Sequence, residues 1–282
     1  MMYFNGKIVE GAYFNGKSIN GFFNNKKMFA DYGYLLTVDT SLGMSLRLRG
    51  LTSGSAAYQI DWGDGVIQNS TADITHTYTS VGIFDVKITG KNMSTVVPQA
   101  FLQNMQNVIR VSLGFKPTSL ISYCFCDCSA ITDFQLDGSN LTQIGDYAFR
   151  AAFAPGGKIE IDLSSADNLT TIGNTAFNSS NLHKFIMSPR ANYTLSGTSN
   201  FKDCKELVKV YLGKPTSLTS NCLSGCLVIT DIYIHSEIPP AITSTTIASV
   251  PALQNIHVPA ESVEAYKTAT NWTVFASKII AI

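Results

Sequence analysis

Between Phe101 and Val258 the chain repeats itself, and that repetition narrows what it can fold into more than any other feature. Apolar or small residues recur at a first position and then three, six, nine and eleven residues further on. Phe125, Cys128, Ile131, Phe134 and Leu136 set the frame. Phe201, Cys204, Leu207, Val210 and Leu212 match it, as do Leu223, Cys226, Ile229, Ile232 and Ile234. So do Ile247, Val250, Leu253, Ile256 and Val258, and at the front Leu102, Met105, Val108, Val111 and Leu113. Phe149 and Phe177 open looser copies, one with the insertion Ala154-Pro-Gly-Gly157 and one a residue short. The openings at 102, 125, 149, 177, 201, 223 and 247 lie 22 to 28 residues apart. A fixed period in this range is the signature of a solenoid.

One unit has a simple physical reading. Its last three marked positions alternate, as in Val210-Tyr-Leu212, which is a strand with two side chains inward and one outward. Strands stacked from unit to unit make a parallel sheet along the solenoid. The first and fourth residues plug the interior beneath a turn, so Cys128, Cys204 and Cys226 alternate there with Ala152, Ser180 and Val250. The loop Lys116-Pro-Thr-Ser-Leu120 recurs as Lys214-Pro-Thr-Ser-Leu218. Ile144-Gly-Asp-Tyr-Ala-Phe149 and Ile172-Gly-Asn-Thr-Ala-Phe177 resemble the most specific segment of the BspA-type leucine-rich repeat, "IGxxAFxxCxxLxxIxI". The run from Val258 through Tyr266 to Trp272 resembles that family's C-terminal cap. The resemblance implies a capped solenoid over residues 92–282.

Hydrophobic residues make up 45% of the chain and charged ones 14%, ample for a core and against wholesale disorder. Twenty basic residues balance twenty acidic ones, so no electrostatic footprint for nucleic acid or an anionic membrane is expected. No apolar run approaches the ~20 residues of a membrane span, so no membrane insertion is expected. Six cysteines are expected as free thiols. Cys128, Cys204 and Cys226 occupy a buried repeat position, where Cys behaves as a small hydrophobe. Cys124, Cys126 and Cys128 read as alternating along an extended segment, pointing to opposite faces. No second Cys pair or histidine cluster completes a zinc site.

Residues 1–34 carry a shorter repeat: Tyr3-Phe4-Asn-Gly-Lys7, Tyr13-Phe14-Asn-Gly-Lys17 and Phe22-Phe23-Asn-Asn-Lys26. Asn-Gly between β-prone residues is the strongest short hairpin signal, so three turns predict a β-meander. Such a ribbon is too small to stand alone, which makes Tyr3, Phe4, Tyr13, Phe14, Phe22 and Phe23 candidate attachment residues. The tandem "YFNGK" units resemble the N-termini of some bacteriophage tail and virion proteins. Residues 35–91 alternate as a sandwich would. Asp61-Trp-Gly-Asp-Gly65, then His76-Thr-Tyr78, then Gly82-Ile-Phe-Asp-Val-Lys-Ile88 resemble the PKD-type immunoglobulin-like domain. Trp62 is then core, and Asp61 and Asp64 bond turn amides. Two acids are too few for calcium, and no metal or cofactor is expected.

The fold class expected is thus mainly β: a meander, an immunoglobulin-like sandwich, and a leucine-rich solenoid with a parallel sheet. The middle strand residues form an outward column: Ser112, Gln135, Asp162, Ile186, Tyr211, Tyr233 and His257. His235 lies near it on the same face. Ile186, Tyr211, Tyr233, His235 and His257 are the candidate ligand-binding residues, since outward aromatics give large contact area at low entropy cost. The alternative is that tyrosines merely favour β structure. No His-Glu-x-x-His, Gly-x-Ser-x-Gly or P-loop motif occurs. Glu160 and Asp162 share one flat strand rather than flanking a cleft, so no enzyme is expected.

Two settings compete for such a binding or structural protein. The BspA resemblance implies a bacterial cell-surface adhesin for host proteins or glycans, which needs an export signal. The start, Met-Met-Tyr-Phe-Asn-Gly-Lys, shows no basic or apolar leader region. A virion surface protein, made in the host cytoplasm and released by lysis, needs none. The favoured expectation is a bacteriophage fibre or decoration subunit, docked to other virion proteins by residues 1–34 and able to form a homo-oligomer. Its solenoid would meet a cell-surface protein or glycan.

Overall fold

The structure, a computed structural model, describes residues 33–51, 58–90 and 95–282, together with the backbone of four short strands ahead of them. Strands β1 (Met2–Phe4) and β2 (Lys7–Val9) pair antiparallel with Phe4 opposite Lys7. Strands β3 (Tyr13–Phe14) and β4 (Lys17–Ser18) repeat the arrangement with Phe14 opposite Lys17. Where one meander is expected, the described strands form two separate ribbons. The third motif, with Phe22 and Phe23, lies outside the described residues.

Six strands build the next unit: β5 (Tyr34–Asp39), β6 (Ser45–Leu48), β7 (Tyr58–Asp61), β8 (Ile67–Ser70), β9 (Ile74–Thr77) and β10 (Ile83–Thr89). β5, β10, β7 and β8 lie side by side, and β6 pairs with β9 as a second layer. Trp62 is fully buried between them. Its ring stacks on His76 at 4.7 Å, and Tyr78 packs edge-on to His76 and against Phe84. The indole donates to Gln68 Oε1 (2.7 Å), and Tyr78 Oη donates to the Trp62 carbonyl (3.1 Å). Asp61 and Asp64 accept the amides of Gly63 and Val66. Asp64 also holds His76 Nε2 at 2.7 Å. Both aspartates therefore work inside the turn.

The solenoid begins with β11 (Val96–Val97) and β12 (Val108–Leu113). β12 pairs antiparallel with β5, so one six-stranded sheet runs from the first unit into the first coil. Ser112 is consequently 4% exposed, not outward on an open face: its strand lies between β5 and the next coil. Tyr34 packs on Phe101 and Phe115 across the same junction. Arg49 donates to the Gln103 carbonyl, and Asn107 Nδ2 to those of Gly43 and Ser45.

Each further coil contributes one longer strand and, in all but the last, one of two to four residues. The longer series is β14 (Asp133–Gln135), β16 (Ile159–Leu163), β18 (Leu182–Met187), β20 (Lys209–Tyr211), β22 (Asp231–Tyr233) and β23 (Asn255–Val258). The shorter is β13 (Ser119–Leu120), β15 (Gln143–Ile144), β17 (Thr171–Ile172), β19 (Asn192–Leu195) and β21 (Lys214–Pro215). β14 pairs with β12, and from β16 to β23 the long strands form one parallel sheet. β11 and the short strands form a second parallel sheet on another side, where a single sheet is expected from the pattern. Between β14 and β16 the ladder breaks, where the insertion Ala154-Pro-Gly-Gly157 and buried Phe153 swell the coil.

The third side is a turn, and its ladder explains the repeat's first position. Phe125 N–H donates to Ala148 O, Phe149 to Ala176, Phe177 to Asn200, Phe201 to Cys222 and Leu223 to Thr246, at 2.7–2.9 Å. Two residues to either side of each Phe the backbone turns left-handed, as at Tyr123 and Asp127, Tyr147 and Ala151, Thr175 and Ser179. That conformation is costly for non-glycine residues. It points alternate N–H groups along the axis into the next coil, whose carbonyls hold it. Cys124, Cys126 and Cys128 lie on this turn rather than along an extended segment, and all six thiols are buried and unpaired with one another. Cys128, Cys204 and Cys226 donate to the carbonyls of Leu102, Phe177 and Phe201, the first position of the preceding coil. Glycine follows isoleucine in the "IG" segment because coils nearly touch there. A Cβ on Gly145 would sit 2.5 Å from Ser122 N, and one on Gly173 2.4 Å from Asp146 N.

The far end is closed by helix α1 (Val263–Thr268), a 3-10 turn over Thr273–Lys278 and β24 (Ile279–Ala281). Buried Tyr266 and Trp272 donate to the carbonyls of Ser236 and Pro240. β24 then adds to β23 as a last parallel strand.

Candidate functional site

The outward column forms along the long-strand sheet. Register places Asp162 beside Ile186, Ile186 beside Tyr211, Tyr211 beside Tyr233, Tyr233 beside His257 and His257 beside Ile280. Parallel strands about 4.8 Å apart hold identical positions at nearly that interval. Tyr211 and Tyr233 stack at 4.2 Å and 9°, and Tyr233 and His257 at 4.1 Å and 4°. Lys184 Nζ lies over the Tyr211 ring, 5.8 Å from its centre, and closes one end of the pile. The other end meets Ile280, which is 40% exposed.

This geometry changes what the rings offer. Their faces are spent on one another, on Lys184 and on the Ile280 strand, so the surface receives ring edges. A ring edge carries the positive side of the quadrupole, which suits oxygen acceptors and not the flat face of a sugar.

Two residues upstream on each strand runs a parallel column: Glu160, Lys184, Lys209, Asp231 and Asn255. Glu160 and Lys184 pair at 3.8 Å, and Lys209 and Asp231 at 3.9 Å. Asp231 is its centre. Oδ1 lies 3.0 Å from His257 Nε2 and accepts from Asn255 Nδ2 at 3.1 Å, while Oδ2 accepts from Thr230 Oγ1 at 2.8 Å. The His257 hydrogen bond foremost, then Asn255, Thr230 and Lys209, hold the Asp231 carboxyl down to about 2. The carboxylate thus keeps the His257 ring square to the stack. Burial, then the neighbouring Tyr211 and Asp231, push the Tyr233 phenol up, so it stays a protonated donor.

His235 stands apart from the rings. It lies past the end of β22, and burial, then Lys214, lower its pKa. Ile186 is half-buried beside Tyr211. Of the attachment residues, Tyr3, Phe4, Tyr13 and Phe14 fall in the two N-terminal ribbons, and Phe22 and Phe23 lie outside the described residues.

Two features escaped the sequence. The Asp231 clasp was findable: same-face residues recur at period two, so Asp231 had to neighbour the column. Tyr123 and Tyr147 stack at 4.8 Å on the turn side, with Arg150 over Tyr147 and paired to Asp127 at 2.7 Å. Their signal is a tyrosine two residues before each of Phe125 and Phe149.

Among the described residues, no group of three or more His, Cys, Asp or Glu is placed to hold a metal ion. No helix among them is long and apolar enough to cross a membrane. Glu160 and Asp162 face one side as a carboxylate pair, but Glu160 pairs with Lys184 and Asp162 accepts the Ser164 amide. The family model described as BspA type Leucine rich repeat region matches in six copies over residues 80–154 and 118–249, more than half of the chain. Among curated proteins none matches.

Proposed function

Because the chain belongs to the BspA-type leucine-rich repeat family, we propose that it is a non-enzymatic adhesion protein that contacts its ligand through the Tyr211–Tyr233–His257 column. The observation that carries this reading is the closed ring stack. Three aromatic groups stand outward on adjacent strands, oriented by an internal carboxylate, on a sheet whose neighbouring charges are already paired. Such a surface is ordered before it binds and loses little entropy on binding. With ring faces closed, a protein surface rich in carbonyl and carboxylate oxygens suits it better than a stacked sugar.

The finer setting is a proposal of its own. We read residues 1–34 as the attachment module and residues 35–91 as a PKD-type immunoglobulin-like spacer. The particle is then a bacteriophage virion, with the chain as a fibre or decoration subunit. Support comes from the tandem Tyr-Phe-Asn-Gly-Lys ribbons, too small to be a self-sufficient fold. The second reading, a bacterial cell-surface adhesin, is favoured by the family itself. Mass spectrometry of purified particles and of surface-shaved cells separates the two: recovery from particles supports the virion reading, and recovery only from cell surfaces overturns it. The binding face is tested by truncating the column and measuring retention on a panel of bacterial cells and extracellular proteins.

A further inference from the structure

We propose that β8 is a self-association edge, at which two copies of this chain join antiparallel about a two-fold axis passing through Gln68. β8 ends its six-stranded sheet and, among the described residues, has β7 as its one strand partner. Trp62 N–H donates to Val66 O, which sets the alternation of the β7–β8 ladder. Val66, Gln68 and Ser70 therefore face β7. Ile67 and Asn69 turn both main-chain groups outward.

An exposed edge is a template for pairing, and proteins blunt it with charges, prolines, bulges or covering segments. Ile67-Gln-Asn-Ser70 has no charge and no proline, and its register with β7 runs without a shift. Ile67 is 61% exposed and Val66 39%. Two other sheet ends differ: β6 carries Arg47, ion-paired to Asp73, and β24 follows Lys278 and spans three residues.

The edge is complementary to itself. With Gln68 on the axis, Ile67 of one copy stands opposite Asn69 of the other, and each such pair exchanges both main-chain bonds. Ile67 then meets its own copy diagonally, within reach of a long side chain. Zero formal net charge adds no long-range repulsion between copies. A strand this short makes a concentration-dependent dimer, and pairing displays two solenoid faces for bivalent attachment.

Light scattering of the full chain over a concentration series should show the mass rising toward twice the monomer. Ile67→Lys places like charges across the axis, and Asn69→Pro removes an outward N–H that has no hydrogen-bond partner among the described residues. Each should hold the protein at monomer mass with an unchanged melt, and if Asn69→Pro unfolds, Ile67→Lys decides. Gln68→Cys puts two thiols in a non-hydrogen-bonded pair, within disulfide reach; it also takes the acceptor from the Trp62 indole, so its melt is measured beside the cross-link, and the native thiols are buried. It should cross-link under mild oxidant. A parent chain that stays monomeric to its highest soluble concentration overturns the proposal. So does a dimer that survives Ile67→Lys, or one that a Gln68→Cys chain with the parent's melt fails to trap.

Discussion

Two columns of rings run along this solenoid, one inside and one outside. Inside, Phe149, Phe177 and Phe201 stack at 5.1 and 5.0 Å, within 7° of parallel. Outside, Tyr211, Tyr233 and His257 stack at 4.2 and 4.1 Å, within 9°. One cause makes both: identical positions on successive coils repeat at the spacing of hydrogen-bonded backbones. Surroundings make them different. The phenylalanines are fully buried, so their area is removed from water and their rings set the core. The outer rings are partly exposed and held by Asp231 and Lys184, so their removal leaves the core closed. A solenoid can thus use one geometric rule to build a core on its inside and an ordered array of rings on its outside.

The contrast is broken most directly from within. Phe177→Ala should cost about 3–5 kcal/mol of stability, the usual range for an aromatic lost from a core, measured by denaturant unfolding. A loss like that of a surface site would mean the inner column does not hold the coils. Next comes the spacing itself. Gly173→Ala puts a Cβ 2.4 Å from Asp146 N and should destabilise by about 1–3 kcal/mol, as overpacking does. An unchanged melt would show that the "IG" approach does not set the interval between rings.

The outer column responds to charge rather than volume. Asp231 is depressed from 3.8 to about 2 in the folded chain. Its contribution is present above the unfolded value and is lost as pH falls through the folded one. Asp231→Asn should therefore melt below the parent near neutral pH, with the gap closing between about 4 and about 2. A gap that is constant with pH would remove the clasp from the account. The smallest effect is expected for Tyr211→Ala or Tyr233→Ala alone, about 1 kcal/mol or less, the worth of one stacked pair.

Much of this was legible because it is periodic. Phe125, Phe149, Phe177 and Phe201 announce the core, and Tyr211, Tyr233 and His257 announce the column, by position alone. The union of β5 with β12 was not legible, since antiparallel pairing of Tyr34–Asp39 with Val108–Leu113 joins residues far apart that share no repeat. Short strands such as Gln143–Ile144 are too brief to alternate, which hid the second sheet. The left-handed turns at Tyr123 and Asp127 fall on ordinary residues, so the extended reading of Cys124 to Cys128 had no glycine to correct it. An outward column was expected for the tyrosines, but not that stacking would close their faces.

We propose that the outer rings bind while the inner rings hold the coils. The double variant Tyr211→Ala/Tyr233→Ala, compared with the parent for retention on the cell and protein panel and for its thermal melt, tests both halves at once. Thr194→Ala, exposed on the opposite sheet, serves as the control. A melt near the parent's and a binding loss of more than ~1 kcal/mol are expected, as for an anchoring aromatic, with the control silent in both. Binding equal to the parent's, or a melt that collapses as it does for Phe177→Ala, would contradict it.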